Sequence, residues 1–409
     1  MELRDLLKTL KEMGGSDLHL VAGLPPAVRV HDELVALREL GRPTPEQMRD
    51  MIYPILAKEE IERFESDPHA RYDLDFARGV ADLGRFRFNL HKQRGSLAVT
   101  IRALSGSIPS LESLGLPRGV LDFTSARRGL VLVTGSGGSG RSTTLASLID
   151  DINHQRSARI MTIEDPVEYI IPSDRAYVTQ REVGDGADTL SFENALRYAR
   201  RQDVDVIMIG HLSGYETMRH TLELSEMGLL VFASMTTISA TQTLIRFLEC
   251  FPAEQQEQAV SQLSANLLGV ISQVLLPRAD RRGRVLACEL MKVNVLIRAD
   301  IRQKKFDSVH TIIQSASGEG MQTMDQSLVD LARQDLLDYA TARPYIRDEA
   351  THRVIYQLSS AGRMGTPVAP QASRPSANGE AGQPARGASD TQARRRLGST
   401  TIPPWEKQP

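Results

Sequence analysis

The chain has 409 residues, enough for two domains with appended segments, and its 49 basic and 51 acidic side chains give a net charge of −2. This balance gives no electrostatic argument for general binding to nucleic acid or to an anionic membrane. Two cysteines, Cys250 and Cys288, build no disulfide framework. The N-terminus predicts an amphipathic helix rather than a signal peptide, and no apolar run approaches the roughly 20 residues of a membrane span. We therefore expect a cytoplasmic protein without direct membrane insertion.

The chain divides into three predicted parts. Residues 1–112 mix short helices with alternating strands such as 85–90, and they end in a linker rich in Ser, Gly and Pro. Residues 113–358 alternate strands with helices, which is typical of an α/β domain with a mainly parallel sheet. Residues 359–409 are rich in Pro, Gly, Ser and Arg and poor in large apolar side chains. Such a segment buries too little surface to fold, so we expect a disordered tail.

The second part carries the clearest pattern of apolar runs and amphipathic stretches. The predicted strands are 130–134, 160–163, 205–210, 229–233, 271–276 and 285–291. The predicted helices are 142–152, 191–201, 215–227 and 254–268.

A phosphate-binding loop is predicted directly after the first of these strands. Residues 135–142 read Gly-Ser-Gly-Gly-Ser-Gly-Arg-Ser, which matches G-x-x-x-x-G-K-S except that Arg141 replaces the lysine. In such a loop, backbone N–H groups hold phosphates, the lysine reaches the β- and γ-phosphates, and the Ser or Thr binds Mg²⁺. The alternative is a plain Gly/Ser-rich turn, which the flanking strand and helix disfavour. The predicted nucleotide-binding residues are Gly135, Gly137, Gly138, Ser139, Gly140, Arg141, Ser142 and Thr143.

A pair of carboxylates, Glu164 and Asp165, follows the second predicted strand. Paired carboxylates beside a phosphate loop suit hydrolysis, because a metal ion neutralises charge while a base orients water. The alternative is that the pair, with Pro166 after it, only ends a strand in a turn.

Several motifs occur together in one order. They are Ser-Asp-Leu-His-Leu at 16–20, Arg-Phe-Arg-Phe-Asn at 85–89, Thr-Ile-Glu-Asp-Pro-Val-Glu at 162–168, Gln-Arg-Glu-Val at 180–183 and Gly-Met-Gln-Thr-Met-Asp at 320–325. With these motifs, about residues 1–345 resemble the type IV pilus retraction ATPases, the twitching-motility motors of the secretion-ATPase superfamily. The resemblance implies an N-terminal PAS-like α+β domain followed by a RecA-like P-loop NTPase domain. It also implies a hexameric ring beneath the inner-membrane platform of the pilus.

The resemblance assigns roles to particular residues. Glu164 and Asp165 match the family's acidic box, which positions magnesium and the attacking water, and Ser142 with Glu164 would hold the metal. Arg85 and Arg94, with Arg87 and Arg102, match positions that supply cations toward the nucleotide across domain or subunit boundaries. Arg298 and Arg302 match a motif used in retraction. Their spacing of four places both on one helix face, which is also typical of an ordinary surface stripe.

Three elements depart from the family pattern. Arg141 replaces the loop lysine, His211 replaces the glutamate of the second acidic motif, and Thr236 replaces the histidine of the histidine box. A histidine is a poor substitute for a hard oxygen ligand of Mg²⁺. We therefore expect binding of ATP or ADP with Mg²⁺, and weak or absent hydrolysis.

The leading functional hypothesis is a pilus retraction-ATPase homologue that joins or modulates the retraction motor at the inner membrane. It would form a homo-hexamer or a mixed ring with an active paralogue, and it would contact the pilus platform protein. One alternative is a divergent but active hexameric motor for retraction or secretion. A nucleic-acid translocase is the other, which the near-neutral composition disfavours, so no nucleic-acid partner is expected. In the tail, Arg394, Arg395, Arg396 and Trp405 suggest a docking peptide or a solvated segment.

Overall fold

The computed structural model of the chain describes residues 2–30, 33–66, 73–104, 106–184 and 187–361. These residues belong to one compact unit. Its last helix runs to Ala361. The predicted disordered tail lies outside the described residues from position 362 onward, together with Trp405 and the three consecutive arginines before it.

The N-terminal part forms a six-stranded antiparallel sheet in the order β3-β2-β1-β6-β5-β4. Its strands are β1 Asp17–Val21, β2 Ala27–Val30, β3 Glu33–Ala36, β4 Asp73–Val80, β5 Gly84–Gln93 and β6 Ser96–Ala103. Its helices are α1 Leu3–Glu12, α2 Pro45–Ile52 and α3 Lys58–Ser66. Alternation along β5 buries Phe86, Phe88 and Leu90 in the core of this part and turns Arg85 and Arg87 to the other face, as the sequence predicts.

A seven-stranded sheet forms the second part, in the order β13-β12-β7-β11-β10-β8-β9. Every pair of neighbours is parallel except β12 with β13. Its strands are β7 Gly129–Thr134, β8 Arg159–Glu164, β9 Tyr177–Glu182, β10 Val206–Ile209, β11 Leu230–Met235, β12 Leu267–Pro277 and β13 Arg284–Lys292. The predicted α/β class with a mainly parallel sheet is confirmed.

Helices flank this second sheet. They are α4 Leu121–Ser125, α5 Arg141–Gln155, α6 Phe192–Ala199, α7 Tyr215–Glu226, α8 Ala240–Glu249, α9 Gln256–Asn266, α10 Val295–Gln303, α11 Val309–Ser315, α12 Met324–Arg333, α13 Tyr339–Ala342 and α14 Glu349–Ala361. Leu130 and Leu132 of β7 pack in one apolar cluster, whereas Val131 and Val133 pack in another. Because both faces of the strand are buried, its sequence is a continuous apolar run rather than an alternation.

Strand order brings four loops to one edge of the sheet. The parallel strands β7, β11, β10 and β8 are consecutive neighbours, so their carboxyl ends lie side by side. The loop after β7 is the predicted phosphate loop, and β8 ends at Glu164. In open α/β sheets, ligands bind at this edge.

Two elements differ from the sequence-based prediction. Strand β9 was not predicted, because Tyr-Val-Thr-Gln-Arg-Glu is polar, as expected for an edge strand with accessible sides. The predicted helix 254–268 ends at Asn266, and the apolar residues that follow begin β12. Among the described residues, no helix is long and apolar enough to span a bilayer.

We expect Phe88→Ala to destabilise the protein by about 3–5 kcal/mol, since Phe88 is fully buried and stacks on Phe76 with ring centroids 5.1 Å apart. Chemical denaturation measures the change. Val35→Ala is the control, because Val35 lies exposed on the edge strand β3 and its truncation should change stability by less than about 0.5 kcal/mol. Equal effects of both substitutions would contradict the assignment of this core.

Candidate nucleotide site

The phosphate loop connects β7 to the N-terminus of α5. Ser136, Gly137 and Gly138 are exposed, and Gly140 has φ of +90°, a conformation that favours glycine. At Gly135 a Cβ would lie 2.4 Å from both the Gln273 carbonyl oxygen and Ser139 Oγ, so this position admits no side chain. The first N–H groups of α5 have no carbonyl four residues back within the helix and are therefore available to an anion.

Two buried polar atoms beneath the loop have no partner among the described residues. They are Ser139 Oγ and Gln273 Oε1. Gln273 Nε2 donates to the Ser139 carbonyl at 2.8 Å, so β12 supports the loop from below. The glycine-lined turn, the free N–H groups and the unsatisfied oxygen atoms fit a phosphate-bearing ligand with ordered water.

Arg141 is anchored to the loop that follows the neighbouring strand β11. Its Nη1 donates to the Met235 carbonyl at 2.9 Å, and the Gly135 N–H donates to the same oxygen at 3.3 Å. Partial burial lowers the pKa of Arg141, while the Glu168 carboxylate opposes that shift. The guanidinium stays charged, but one of its donors is committed to protein.

Ser142 lies against a carboxylate that was not selected from the sequence. Its Oγ donates to Glu168 Oε1 at 3.1 Å, and Thr143 Oγ1 is 2.9 Å from the hydroxyl of Tyr169. Glu168 therefore stands at the hydroxyl that holds Mg²⁺ in loops of this type. Its four-residue spacing from Glu164, within Glu-Asp-Pro-Val-Glu, was the available signal.

Glu164 is buried, with 6% of its surface exposed, and its carboxylate is already satisfied. Oε1 accepts from Thr162 Oγ1 at 2.8 Å and from Gln180 Nε2 at 3.3 Å, and Oε2 accepts from the Glu168 N–H at 3.5 Å. Burial raises the pKa of Glu164 to about 7, against the effect of these hydrogen bonds. Among the described residues, Glu168 rather than the predicted Glu164 is the carboxylate hydrogen-bonded to Ser142.

Asp165 and His211 form the exposed rim of the site. Partial burial raises the pKa of Asp165, and the positive charge of Arg87 lowers it to a smaller extent. His211 reaches solvent, but its partial burial lowers its pKa. The nearby Arg141 cation lowers this pKa further, whereas the Asp165 carboxylate raises it. His211 is therefore mainly neutral near pH 7.

The remaining predicted residues lie at different distances from the loop. Thr236, after β11, is exposed at the same edge of the sheet. Arg85 binds its own chain, donating to the Val167 carbonyl at 2.9 Å and to Glu182 Oε2 at 2.5 Å, which ties β5 to the acidic segment. Arg94 is exposed on the turn after β5, nine residues or about 30 Å along the strand from Arg85. A role for Arg94 across a subunit boundary stays a prediction.

Arg298 and Arg302 share a face of α10 but differ in their contacts. Arg298 Nη1 donates to the carbonyls of Ser264 and Ala265 at 2.5 and 2.9 Å, at the C-terminus of α9. A cation at this position stabilises the helix end. Arg302 is exposed, and so are Val295 and Leu296 at the start of α10. Of the two predicted partner residues, Arg302 is therefore exposed, with Val295 and Leu296 exposed near it, whereas Arg298 is half-buried against α9.

A glycine-rich phosphate loop at the carboxyl edge of a mainly parallel sheet defines a P-loop nucleotide-binding protein. Comparison with known proteins gives the family. The model of the type II/IV secretion system protein family matches residues 96–336. The type IV pilus retractation ATPase PilT of Pseudomonas aeruginosa is 38% identical over 345 residues, which is 84% of this chain and 97% of that protein.

Two further comparisons agree. The type IV pilus ATPase PilU of Pseudomonas aeruginosa is 35% identical over 361 residues, or 88% of this chain and 92% of that protein. A crystal structure of the pilus retraction motor PilT with bound ADP superposes with a TM-score of 0.78 at 41% identity, covering 86% of this chain and 98% of that one. The chain belongs to the type II/IV secretion system protein family and is similar to its pilus ATPases.

The raised pKa of Glu164 predicts a pH-dependent effect of Glu164→Gln. In the unfolded chain the carboxyl ionises near pH 4.5, and in the folded protein only near pH 7, so its contribution to stability is lost as pH rises between these values. Glutamine carries no such dependence. From pH 4.5 to pH 8, Glu164→Gln should therefore gain up to about 3 kcal/mol of unfolding free energy relative to the unmodified protein.

Urea denaturation of both proteins across this pH range measures the difference. Glu39→Gln, at an exposed residue between β3 and α2, is the control for the loss of a surface carboxylate. A constant difference between Glu164→Gln and the unmodified protein would show that Glu164 ionises normally.

Proposed function

We propose that this protein is a pilus retraction-ATPase homologue that binds ATP or ADP with Mg²⁺, hydrolyses ATP weakly or not at all, and modulates the retraction motor. One observation carries the proposal: the phosphate-binding backbone is intact, whereas Arg141 is tied to the Met235 carbonyl and His211 occupies the place of the second carboxylate. The site therefore keeps the groups that bind and lacks groups that accelerate hydrolysis.

Phosphate binding rests on the main chain. The glycine turn at 135–140 and the first N–H groups of α5 hold anionic oxygens without any side-chain charge. The ADP in the structure of the similar motor PilT supports a nucleotide as the ligand. Bound Mg²⁺ would supply charge neutralisation between phosphate oxygens, with the Ser142 hydroxyl and the Glu168 carboxylate as the residues that hold it.

Weak hydrolysis follows from the states of the groups around the loop. Removing one preorganised donor to a developing charge costs about a hundredfold to a thousandfold in rate. Arg141 commits one donor to the Met235 carbonyl, the buried Glu164 carboxylate accepts from Thr162, Gln180 and the Glu168 N–H, and His211 is a poor ligand for Mg²⁺. In that case nucleotide occupancy rather than turnover would carry the signal.

The partners we propose follow from the resemblance to pilus ATPases. The protein joins a hexameric ring, alone or with an active paralogue, and contacts the pilus platform at the inner membrane. The exposed Val295, Leu296 and Arg302 on α10 suit contact with such a partner. Native mass spectrometry with an intact-motif homologue separates a mixed ring from a homo-hexamer, and a monomer in both samples would overturn the ring.

The second candidate is a slow but active motor. The charged guanidinium of Arg141 and the carboxylate of Glu168 beside Ser142 favour it, since these two groups lie within the loop region. In that case turnover would depend on Glu168, and Glu168→Gln would abolish it.

Steady-state ATP hydrolysis by the unmodified protein and by the double substitution Arg141→Lys with His211→Glu tests the proposal. We expect tight ADP binding by both proteins and at least about tenfold faster hydrolysis by the double variant. The reason is that the double variant restores the loop lysine in place of the guanidinium bonded to Met235, and restores a second carboxylate at position 211. Arg353→Lys is the matched control, as Arg353 is exposed on α14, and should leave hydrolysis unchanged.

Measurable turnover by the unmodified protein, equal to that of the double variant, would contradict the proposal and favour the active motor. No turnover in either protein would contradict the role given to Arg141 and His211. Absence of nucleotide binding in the unmodified protein would reject the nucleotide site itself.

A further inference from the structure

The segment from the last residue of β11 to the first residue of α8, residues 235–240, is held from two opposite sides. On the nucleotide side, the Met235 carbonyl accepts from the Gly135 N–H and from Arg141 Nη1. On the far side, Arg347 Nη2 donates to the Ile238 carbonyl at 3.4 Å, and the Ala240 N–H donates to Glu289 Oε1 at 2.7 Å. The segment therefore lies between the phosphate loop and the C-terminal part of the fold.

Glu289 is a buried carboxylate, with 2% of its surface exposed, on β13. Its Oε2 faces Arg347 Nη1 at 3.5 Å and His310 Nδ1 at 4.0 Å. A buried carboxylate requires hydrogen bonds and a cation to offset lost hydration. Since Ala240 opens α8, the helix dipole also favours this negative charge. Glu289 thus fixes Ala240, and Arg347 completes the charge balance.

Arg347 links this buried charge to the C-terminal helices. Its backbone N–H donates to Asp325 Oδ1 on α12 at 3.0 Å, and the helix α14 begins two residues later. Its side chain also lines a cavity of about 980 Å³ together with His310, Asp325 and Asp348. A displacement of the C-terminal helices would therefore move the guanidinium that holds Ile238.

Short-range hydrogen bonds make the segment stiff. The Ile238 N–H donates to Gln242 Oε1 at 2.8 Å, Ser239 Oγ accepts from the Gln242 N–H at 3.1 Å, and Thr237 Oγ1 lies 2.6 Å from Thr243 Oγ1. These bonds tie Thr237, Ile238 and Ser239 to α8, and Thr236 is the one residue between this unit and Met235.

We propose that Arg347 is a positioning residue for the nucleotide site. Through it, the C-terminal helices determine the position of the Met235 carbonyl and of the Arg141 side chain bonded to that carbonyl. This inference rests on the proposed nucleotide-binding function. A partner that binds the C-terminal helices would then change nucleotide affinity through Arg347 and Glu289, without contacting the nucleotide.

A double-mutant cycle between Arg347→Met and Arg141→Met tests the route. The affinity for a fluorescent ADP analogue should change about threefold or more on Arg347→Met, and this change should vanish in the Arg141→Met background. Arg353→Met, an exposed arginine on α14, is the matched control and should leave affinity unchanged. Glu289→Gln should shift affinity in the same direction, and it keeps the side-chain volume if Arg347→Met fails to fold.

Hydrogen exchange of residues 235–240 without nucleotide gives an independent readout. The Ile238 and Ala240 amides should exchange faster in Arg347→Met than in the unmodified protein or in Arg353→Met. Unchanged exchange, or an affinity change of equal size with and without Arg141, would overturn the inference. If no variant binds ADP, the proposed function fails, and faster exchange alone still supports the structural link.

Discussion

One backbone carbonyl, that of Met235, organises the candidate site. It accepts from the Gly135 N–H at the start of the phosphate loop and from the Arg141 guanidinium at its end. Both bonds are possible because β7 and β11 are parallel neighbours whose carboxyl ends meet at one edge. Within the loop the Ser139 N–H donates to the Ser136 carbonyl at 3.2 Å, and the first N–H groups of α5 are available to an anionic ligand.

The same arrangement sets the charges of the site. Burial and the nearby Arg141 cation lower the pKa of His211, while burial raises the pKa of Glu164 to about 7. Glu168 is left as the carboxylate in direct contact with Ser142.

The sequence predicts the strands that are covered by protein along their whole length. Strands β7, β8, β10, β11, β12 and β13 are apolar because helices or neighbouring strands cover them, and each was predicted to within a few residues. Strand β9 is polar because it lies at the sheet edge, so its pattern gave no signal. Contacts of the site are different in kind. The Met235 carbonyl, Gln180 and Gln273 each form a hydrogen bond to a residue that is distant in the chain. A local pattern of apolar and polar residues does not predict such contacts.

A single-turnover experiment tests whether the protein binds ATP without hydrolysing it. Excess protein is mixed with labelled ATP and Mg²⁺, and the bound nucleotide is recovered over time. We expect saturable binding, with the label recovered as ATP well beyond the time that one turnover takes in an active motor. Conversion of the bound ATP to ADP at a rate of about 1 per second or faster, which is within the ordinary range of enzymes, would contradict it.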